Sequence, residues 1–212
     1  MQMLQAILIG LPMTILVTVL SLALGTVAAL PLLAGLRSGN RLLWLLSRGI
    51  IDLLRGVPPV VWLFILYYGV SVGALRLTAL QAGVIGLGLV SAAYLAEIFR
   101  GAISSVHSGQ WEASSALGFT RTTLWRRVVG PQAWRTAIPS YTTYSIGLLK
   151  DSSIASTIGV AEIVYMSNQY ARQSGEGILI FFIAAGVYIA LSLPMGVLSR
   201  HLDTKMRKVV AR

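Results

Sequence analysis

The sequence predicts an all-α, polytopic membrane protein of about five transmembrane helices, with a short cytoplasmic helix in the connection after the third. Three observations carry this. Of 212 residues, 56% are hydrophobic and only 11% charged, whereas soluble domains carry about 25% charged residues. The apolar residues come in long runs near the roughly 20 residues that a helix needs to cross a hydrocarbon core about 30 Å thick. The cationic residues sit between the runs and concentrate in alternate connections.

Residues 1–36 hold no charged residue. No Lys or Arg precedes the run and no cleavage site closes it, so it reads as a first span rather than a secretory signal. It is longer than one span needs, so the helix is tilted, or its start lies along the interface with Pro12 at the break. Residues 40–55 alternate Arg with Leu, Ile and Trp, as an amphipathic entry helix does. The second run, 57–75, opens at Pro58-Pro59; the third is 77–96 and the fifth 177–199. The fourth, Thr136 to Leu149, has 14 uncharged residues, about 21 Å of helix and too short to cross. Lys150 and Asp151 follow, then 152–161 without charge. Either the helix carries two ionisable groups into the membrane or it breaks there.

With five spans, segments 35–56, 100–135 and 200–212 hold 4, 5 and 5 Lys/Arg, against Arg76, Lys150 and Arg172 on the opposite side. This 14-to-3 split puts the N-terminus outside and the C-terminus in the cytoplasm of a multi-pass membrane protein. Four spans would spoil the separation. The net charge of +10 is therefore membrane topology, not a nucleic-acid footprint. Lys205, Arg207 and Lys208 are expected to hold the tail on anionic lipid headgroups. With no cysteine, disulfides and thiolate metal sites are excluded, and His107 and His201 cannot alone form a metal cluster.

The connection at about 101–135 is rich in helix signals. Ser108 is expected to cap a short helix from Gly109 to Leu117, with Ala113, Ala116 and Leu117 on one face. Gly118 suits the left-handed residue past its end. Thr120 is a second N-cap, with Phe119 and Leu124 at staple positions. The second helix carries Arg121, Arg126 and Arg127 and is expected to end near Gly130-Pro131. By spacing alone, this is either a compact cytoplasmic knob or an interfacial hairpin held by Arg–phosphate contacts.

The run GQWEASSALGFTRTTLWRRVVGP, residues 109–131, resembles the cytoplasmic "EAA" loop of ABC-importer permeases. Glu112, Ala113, Gly118 and Pro131 match in register; Ser114 replaces the second Ala, Val128 the Ile and Gly130 the Leu. RGVPP at 55–59, AAYLAEIFRGAISSV at 92–106 and GLLKDSSIASTIGVAEI at 147–163 resemble the polar amino-acid subfamily. The resemblance covers nearly the whole chain, as one transmembrane domain over 1–212. It implies a five-helix core and a second permease subunit, either a copy or a homologue. It also implies a substrate-binding protein, a pair of identical ATPase subunits, a polar amino acid as cargo, and residence in a bacterial inner membrane.

No glycine-rich phosphate loop ending in Gly-Lys-Ser/Thr occurs, so the chain is expected to be no enzyme by itself and to bind no cofactor directly. ATP and Mg would act through the partner ATPase. The resemblance implies that Glu112, Ala113, Ser114, Leu117, Gly118, Arg121 and Pro131 form the coupling element docked on that ATPase, driving alternating access. Against this, Glu112 in a first helical turn is also simply favourable to the helix dipole.

Ionisable groups inside a membrane are functional by default, so Glu97, Arg100, Lys150 and Asp151 are candidates for the substrate pathway. Arg100 and Lys150 would hold a carboxylate, and Asp151 or Glu97 an ammonium. The alternatives are an i,i+3 pair for Glu97–Arg100 and a structural ion pair for Lys150–Asp151. Ser152 and Ser153 either line the path or satisfy backbone where the helix breaks. An intramembrane enzyme acting on lipid would need paired carboxylates or a His/Ser cluster at one depth. A passive channel would leave the knob without a partner.

Overall fold

Apolar sequence becomes helix almost throughout, as a chain in lipid requires, because helices satisfy their own backbone polar groups. The structure, a computed structural model, describes residues 2–72 and 75–210. Beyond His201 only backbone is described, so Lys205, Arg207 and Lys208 lie outside the described side chains. The elements are α1 (Gln2–Leu36), α2 (Arg41–Gly56), α3 (Pro59–Phe64, prolonged by a π-turn at Ile65–Gly69), strands β1 (Ser71–Val72) and β2 (Leu75–Arg76), α4 (Ala79–Ser104), α5 (Ser108–Ala116), α6 (Arg121–Leu124), α7 (Gly130–Asp151), α8 (Ile163–Ser174) and α9 (Gly177–Val210). The two strands form a small antiparallel hairpin pairing Ser71 with Arg76.

Among the described residues, three helices are long and apolar enough to cross a membrane: Met3–Leu36, Ala79–Ser104 and Gly177–His201. The pair Arg41–Gly56 and Pro59–Gly69 makes a fourth if read as one span broken by a 99° bend. The second apolar run is thus no single helix from 57 to 75. Its helical part ends at Gly69 and the hairpin takes over, with 73–74 outside the described residues. Pro58 sets the bend, since Pro59 occupies the first turn of α3 and forces extended backbone on the residue before it. The fourth run becomes a 22-residue helix, α7, about 33 Å long. It reaches that length by starting at Gly130, upstream of the apolar stretch.

α1 stays helical through Pro12 and Pro31, so Pro12 is no break. α1 packs along α4, and glycines set how closely. A Cβ on Gly25 would collide with the side chain of Ser91 and stand 3.0 Å from the Gly88 carbonyl, while one on Gly88 would lie 2.7 Å from Leu24. Higher up, a Cβ on Gly10 would lie 2.5 Å from the carbonyl carbon of Glu162 and 2.7 Å from the Ile163 nitrogen. Small residues at such crossings let backbones approach where lipid supplies no hydrophobic drive for helix association. One apolar core, with Ala29, Ile51, Leu95 and Phe99, joins α1, α2 and α4; another, with Val17, Leu63, Leu87 and Leu148, joins α1, α3, α4 and α7.

The Gly10 contact is with backbone, which cannot rotate away. Gly10→Ala is therefore expected to destabilise the protein by about 2 kcal/mol, as overpacking does. Gly39→Ala, where a new Cβ meets nothing, should stay within about 0.5 kcal/mol of wild type. Thermal unfolding of both variants in detergent checks the contrast.

Candidate functional site

The 105–131 connection is folded. His107, not Ser108, caps α5: its Nδ1 accepts from the Gly109 N–H at 3.1 Å, and the helix begins at Ser108. The helix thus starts one residue earlier than expected, because the His107 ring nitrogen takes the N2 amide, Gly109 N–H, and leaves Ser108 as the first helical residue. Gly118 follows α5 with φ +69°, in the left-handed region. Thr120 caps α6, accepting from Thr123 N–H at 3.2 Å. α6 does not end at Gly130-Pro131. A π-turn, Trp125–Val129, carries it straight into α7, with Pro131 in the first turn of α7. A proline lacking its N–H is tolerated in that first turn, and a Cβ on Gly130 would collide with the Trp125 carbonyl.

Glu112, Ala113, Ala116 and Leu117 are all exposed, Leu117 by 72%. Ser114 is buried, its hydroxyl donating to the Gln110 carbonyl at 2.7 Å. α5 thus turns one carboxylate and an apolar side chain outward. On its inner side Trp111 meets Trp125 edge-on at 5.7 Å. The Arg37 guanidinium, just past α1, lies 6.0 Å and 5.5 Å from the two ring centroids. Below them Ile103, Val106, Val129 and Ala133 form an apolar cluster, and Gln132 Nε2 donates to Gln110 Oε1 at 3.3 Å. The knob is therefore fastened to the ends of α1, α4 and α7 at once.

Of the predicted pathway residues, Glu97 and Arg100 pair with each other, Nη2 to Oε2 at 2.7 Å. Arg48 of α2 takes the other oxygen, Nη1 to Oε1 at 2.9 Å, and also reaches Asp52 at 3.0 Å. Glu97 is 15% exposed, with both oxygens occupied. The arrangement goes beyond an i,i+3 surface pair, because it ties α2 to α4. It is also remote from Lys150 and Asp151. Tyr144 donates to Ser91 at 2.9 Å and fixes the antiparallel register of α4 and α7. Glu97 lies six residues to one side of that level and Lys150 six to the other, about 18 Å apart along the axis. The four ionisable groups do not form one site in this conformation.

Lys150 and Asp151 close α7 and are exposed. The helix does break after them, into a 3₁₀ segment, Ser152–Ile158. Ser152 donates to the Leu149 carbonyl and Ser153 to the Lys150 carbonyl, each at 2.7 Å, so both hydroxyls satisfy backbone at the break. Tyr67 and Tyr68 stack edge-on at 4.8 Å, and Tyr68 is 65% exposed, as an interface anchor would be.

Sequence reasoning missed the most buried carboxylate. Glu162 is fully buried. It caps α8, accepting from Tyr165 N–H at 2.7 Å, and Tyr188 of α9 donates to its other oxygen at 2.8 Å. Thr14 of α1 accepts the next amide, Ile163 N–H, at 3.2 Å. α1, α8 and α9 thus meet at one junction, where each frees or fills a polar group of another. Gly10 and Thr14, small residues one turn apart on α1, are its only sequence trace. Arg48 and Asp52, four apart, were a similar trace of the α2–α4 tie.

Comparison with known proteins places this geometry among transport subunits. A family model described as a binding-protein-dependent transport system inner membrane component matches residues 21–208. The probable amino-acid permease protein YxeN of Bacillus subtilis is 37% identical over 202 residues, covering 94% of this chain and 90% of that protein. The arginine ABC transporter permease protein ArtQ of Haemophilus influenzae is 32% identical over 203 residues, covering 92% and 91%. In the crystal structure of an amino acid ABC transporter with histidines, one chain superimposes with a TM-score of 0.87 at 30% identity, covering 96% of this chain and 94% of that one.

Glu97→Gln is expected to destabilise more than Arg48→Met, because it leaves two guanidiniums facing each other. A double-mutant cycle of the pair should give a coupling of about 1–2 kcal/mol, within the range for contacting residues and limited by solvent screening, since the Arg48 side chain is 42% exposed. Additive effects in thermal unfolding would show that the tie between α2 and α4 is not energetic.

Proposed function

The chain belongs to the family of binding-protein-dependent transport system inner membrane components, and from that premise we propose that it is the permease subunit of an ATP-driven importer of polar amino acids. Such a subunit works with an ATPase and a substrate-binding protein, and ATP is consumed by the partner. The reading extends to a complex of two permease subunits, identical or homologous, on a pair of identical ATPases. It takes five spans as the working topology, with the N-terminus outside and the α5–α6 knob in the cytoplasm.

One observation carries the coupling role. α5 presents Glu112, Ala113 and a Leu117 that is 72% exposed on a part of the chain that the charge distribution puts in water. A large apolar side chain on an aqueous knob calls for a partner surface. Glu112 supplies an acceptor for that partner's donors, and Ser114 and Gly118 hold the shape of α5. Pro131 marks where the knob becomes α7. Arg121 stands apart from Glu112, on the flank towards α1.

The fastening of the knob supplies the mechanism. A displacement of α5 is passed through the Trp111–Trp125–Arg37 stack and the Ile103–Val129 cluster to α1, α4 and α7 together. Rigid-body movement of these helices opens the path to one side or the other, with the equilibrium biased by nucleotide on the ATPase. In this reading Lys150 and Asp151, exposed where α7 breaks, lie at the outer end of the path, with Ser153 half-buried beside them and Ser152 buried behind. Glu97 and Arg100 act at the inner end, as part of the tie with Arg48.

Glu112→Arg and Leu117→Asp should each cut co-purification of the ATPase at least tenfold, with helical content unchanged by circular dichroism. The chain has no native cysteine, so a single cysteine at Ser115 is expected to react with impermeant reagents only from the cytoplasmic side. Labelling from outside, or solute uptake that persists without ATP, would sink the reading.

A further inference from the structure

A cleft of about 740 Å³ opens beside the knob, between the end of α1, the start of α2 and the flank of α6. Its volume lies within the range of about 300–1,000 Å³ typical of ligand pockets. Leu30, Leu33, Leu43 and Ile103 line its apolar part, and Arg37 and Arg121 stand beside them. Leu30, Leu33, Ile103 and Trp125 are shared with a second cavity of about 200 Å³, which continues between α4 and α7 past Phe99 and Ala137 and has no charged side chain in its lining. The space is thus basic at one end and purely apolar at the other.

Its depth matches a leaflet. Arg37 is the first charged residue after a charge-free run of 36, so it stands at headgroup level. Leu30 lies seven residues further into the membrane, about 10 Å. No acidic residue lines the cleft. Neither Arg37 nor Arg121 takes part in the ion pairs Arg48–Asp52, Arg48–Glu97 and Arg100–Glu97, and among the described residues no carboxylate is seen to neutralise either of them. Arg37 instead lies within cation–π reach of Trp111 and Trp125, its guanidinium 6.0 Å and 5.5 Å from their ring centroids.

We propose that this cleft binds an anionic phospholipid of the cytoplasmic leaflet. The phosphate bridges Arg37 and Arg121, and an acyl chain follows Leu30 and Leu33 towards the smaller cavity. A soluble phosphate compound would use the two arginines but not a floor at acyl depth. Guanidiniums suit the headgroup because they grip phosphate with paired donors. The lipid joins α1 to α6 alongside the aromatic stack, and so stiffens the linkage through which the knob moves the helices. The placement at the cytoplasmic face rests on the topology proposed above.

The test uses the intact complex of permease, ATPase and binding protein, reconstituted in nanodiscs of phosphatidylcholine with or without phosphatidylglycerol. Native mass spectrometry after detergent exchange reads retained lipid, and binding-protein-stimulated ATP hydrolysis reads coupling. Wild type is expected to retain phosphatidylglycerol over phosphatidylcholine. The double variant Arg37→Gln/Arg121→Gln should lower that retention roughly 20-fold, from two lost headgroup contacts. Ala34→Trp, which fills the cleft and leaves both arginines, should lower it comparably. Arg126→Gln, which removes a charge outside the cleft, should not. Stimulated hydrolysis should rise several-fold with phosphatidylglycerol in wild type and in neither cleft variant.

Equal retention of the two lipids by wild type, or retention unaffected by Ala34→Trp, overturns the proposal. So does full displacement by soluble glycerol phosphate, which would make the site a plain anion site. Lipid bound to the permease alone but absent from the intact complex also overturns it, by assigning the cleft to the ATPase face. Coupled transport in phosphatidylcholine alone, with no anionic lipid retained, rejects the lipid site and leaves the importer reading standing, whereas loss of the ATPase from wild-type preparations rejects the importer reading.

Discussion

The close approach of α1 to α4 and α8 is the constraint on which the rest of the structure depends. Lipid offers helices no hydrophobic reward for associating, so a bundle is held by contact and by polar groups that meet only when backbones come near. Gly25 and Gly88 let α1 and α4 approach until Leu24 and Ser91 fill the gap. Gly10 lets α1 touch the backbone at Glu162 and Ile163, which brings Thr14 within 3.2 Å of an amide that would otherwise be buried without a partner. The interrupted segment after α7 can lie inside the bundle because its exposed backbone groups are taken up by neighbours.

The same logic explains where charge is found. Glu162 is fully buried, yet both of its oxygens accept hydrogen bonds, one from the start of α8 and one from Tyr188. Glu97 has an arginine on each oxygen. These carboxylates hold elements together, α8 to α9 in one case and α2 to α4 in the other. Lys150 and Asp151 instead end a helix with their side chains exposed. These carboxylates therefore divide into Glu97 and Glu162, which tie the scaffold, and Asp151, which with Lys150 stays exposed at a helix end.

The knob has an exposed side carrying Glu112 and Leu117 and a side packed on three helix ends. Ser114 buried while Leu117 is exposed inverts the usual preference, which is the basis of the coupling role proposed above. The π-turn at Trp125–Val129 makes α6 and α7 one continuous helix, with no break at Gly130-Pro131.

Composition, charge placement and the spacing from Glu112 to Pro131 determined membrane residence, the helical class, the existence of the knob and its kinship, because each is written in local pattern. The left-handed Gly118 and the Thr120 cap were legible for the same reason: a cap acts within four residues of itself. What only the tertiary structure decided is who meets whom across the chain. The Arg48–Glu97 tie, the Glu162–Tyr188 junction and the Arg37 stack join residues 26 to 88 positions apart. Nothing in local periodicity specifies such a pairing, since it follows from how closely small residues allow the helices to cross. The separation of Glu97 from Lys150 was decided in the same way. A sequence lists ionisable groups without their depth, and depth is set by the register in which α4 and α7 pack.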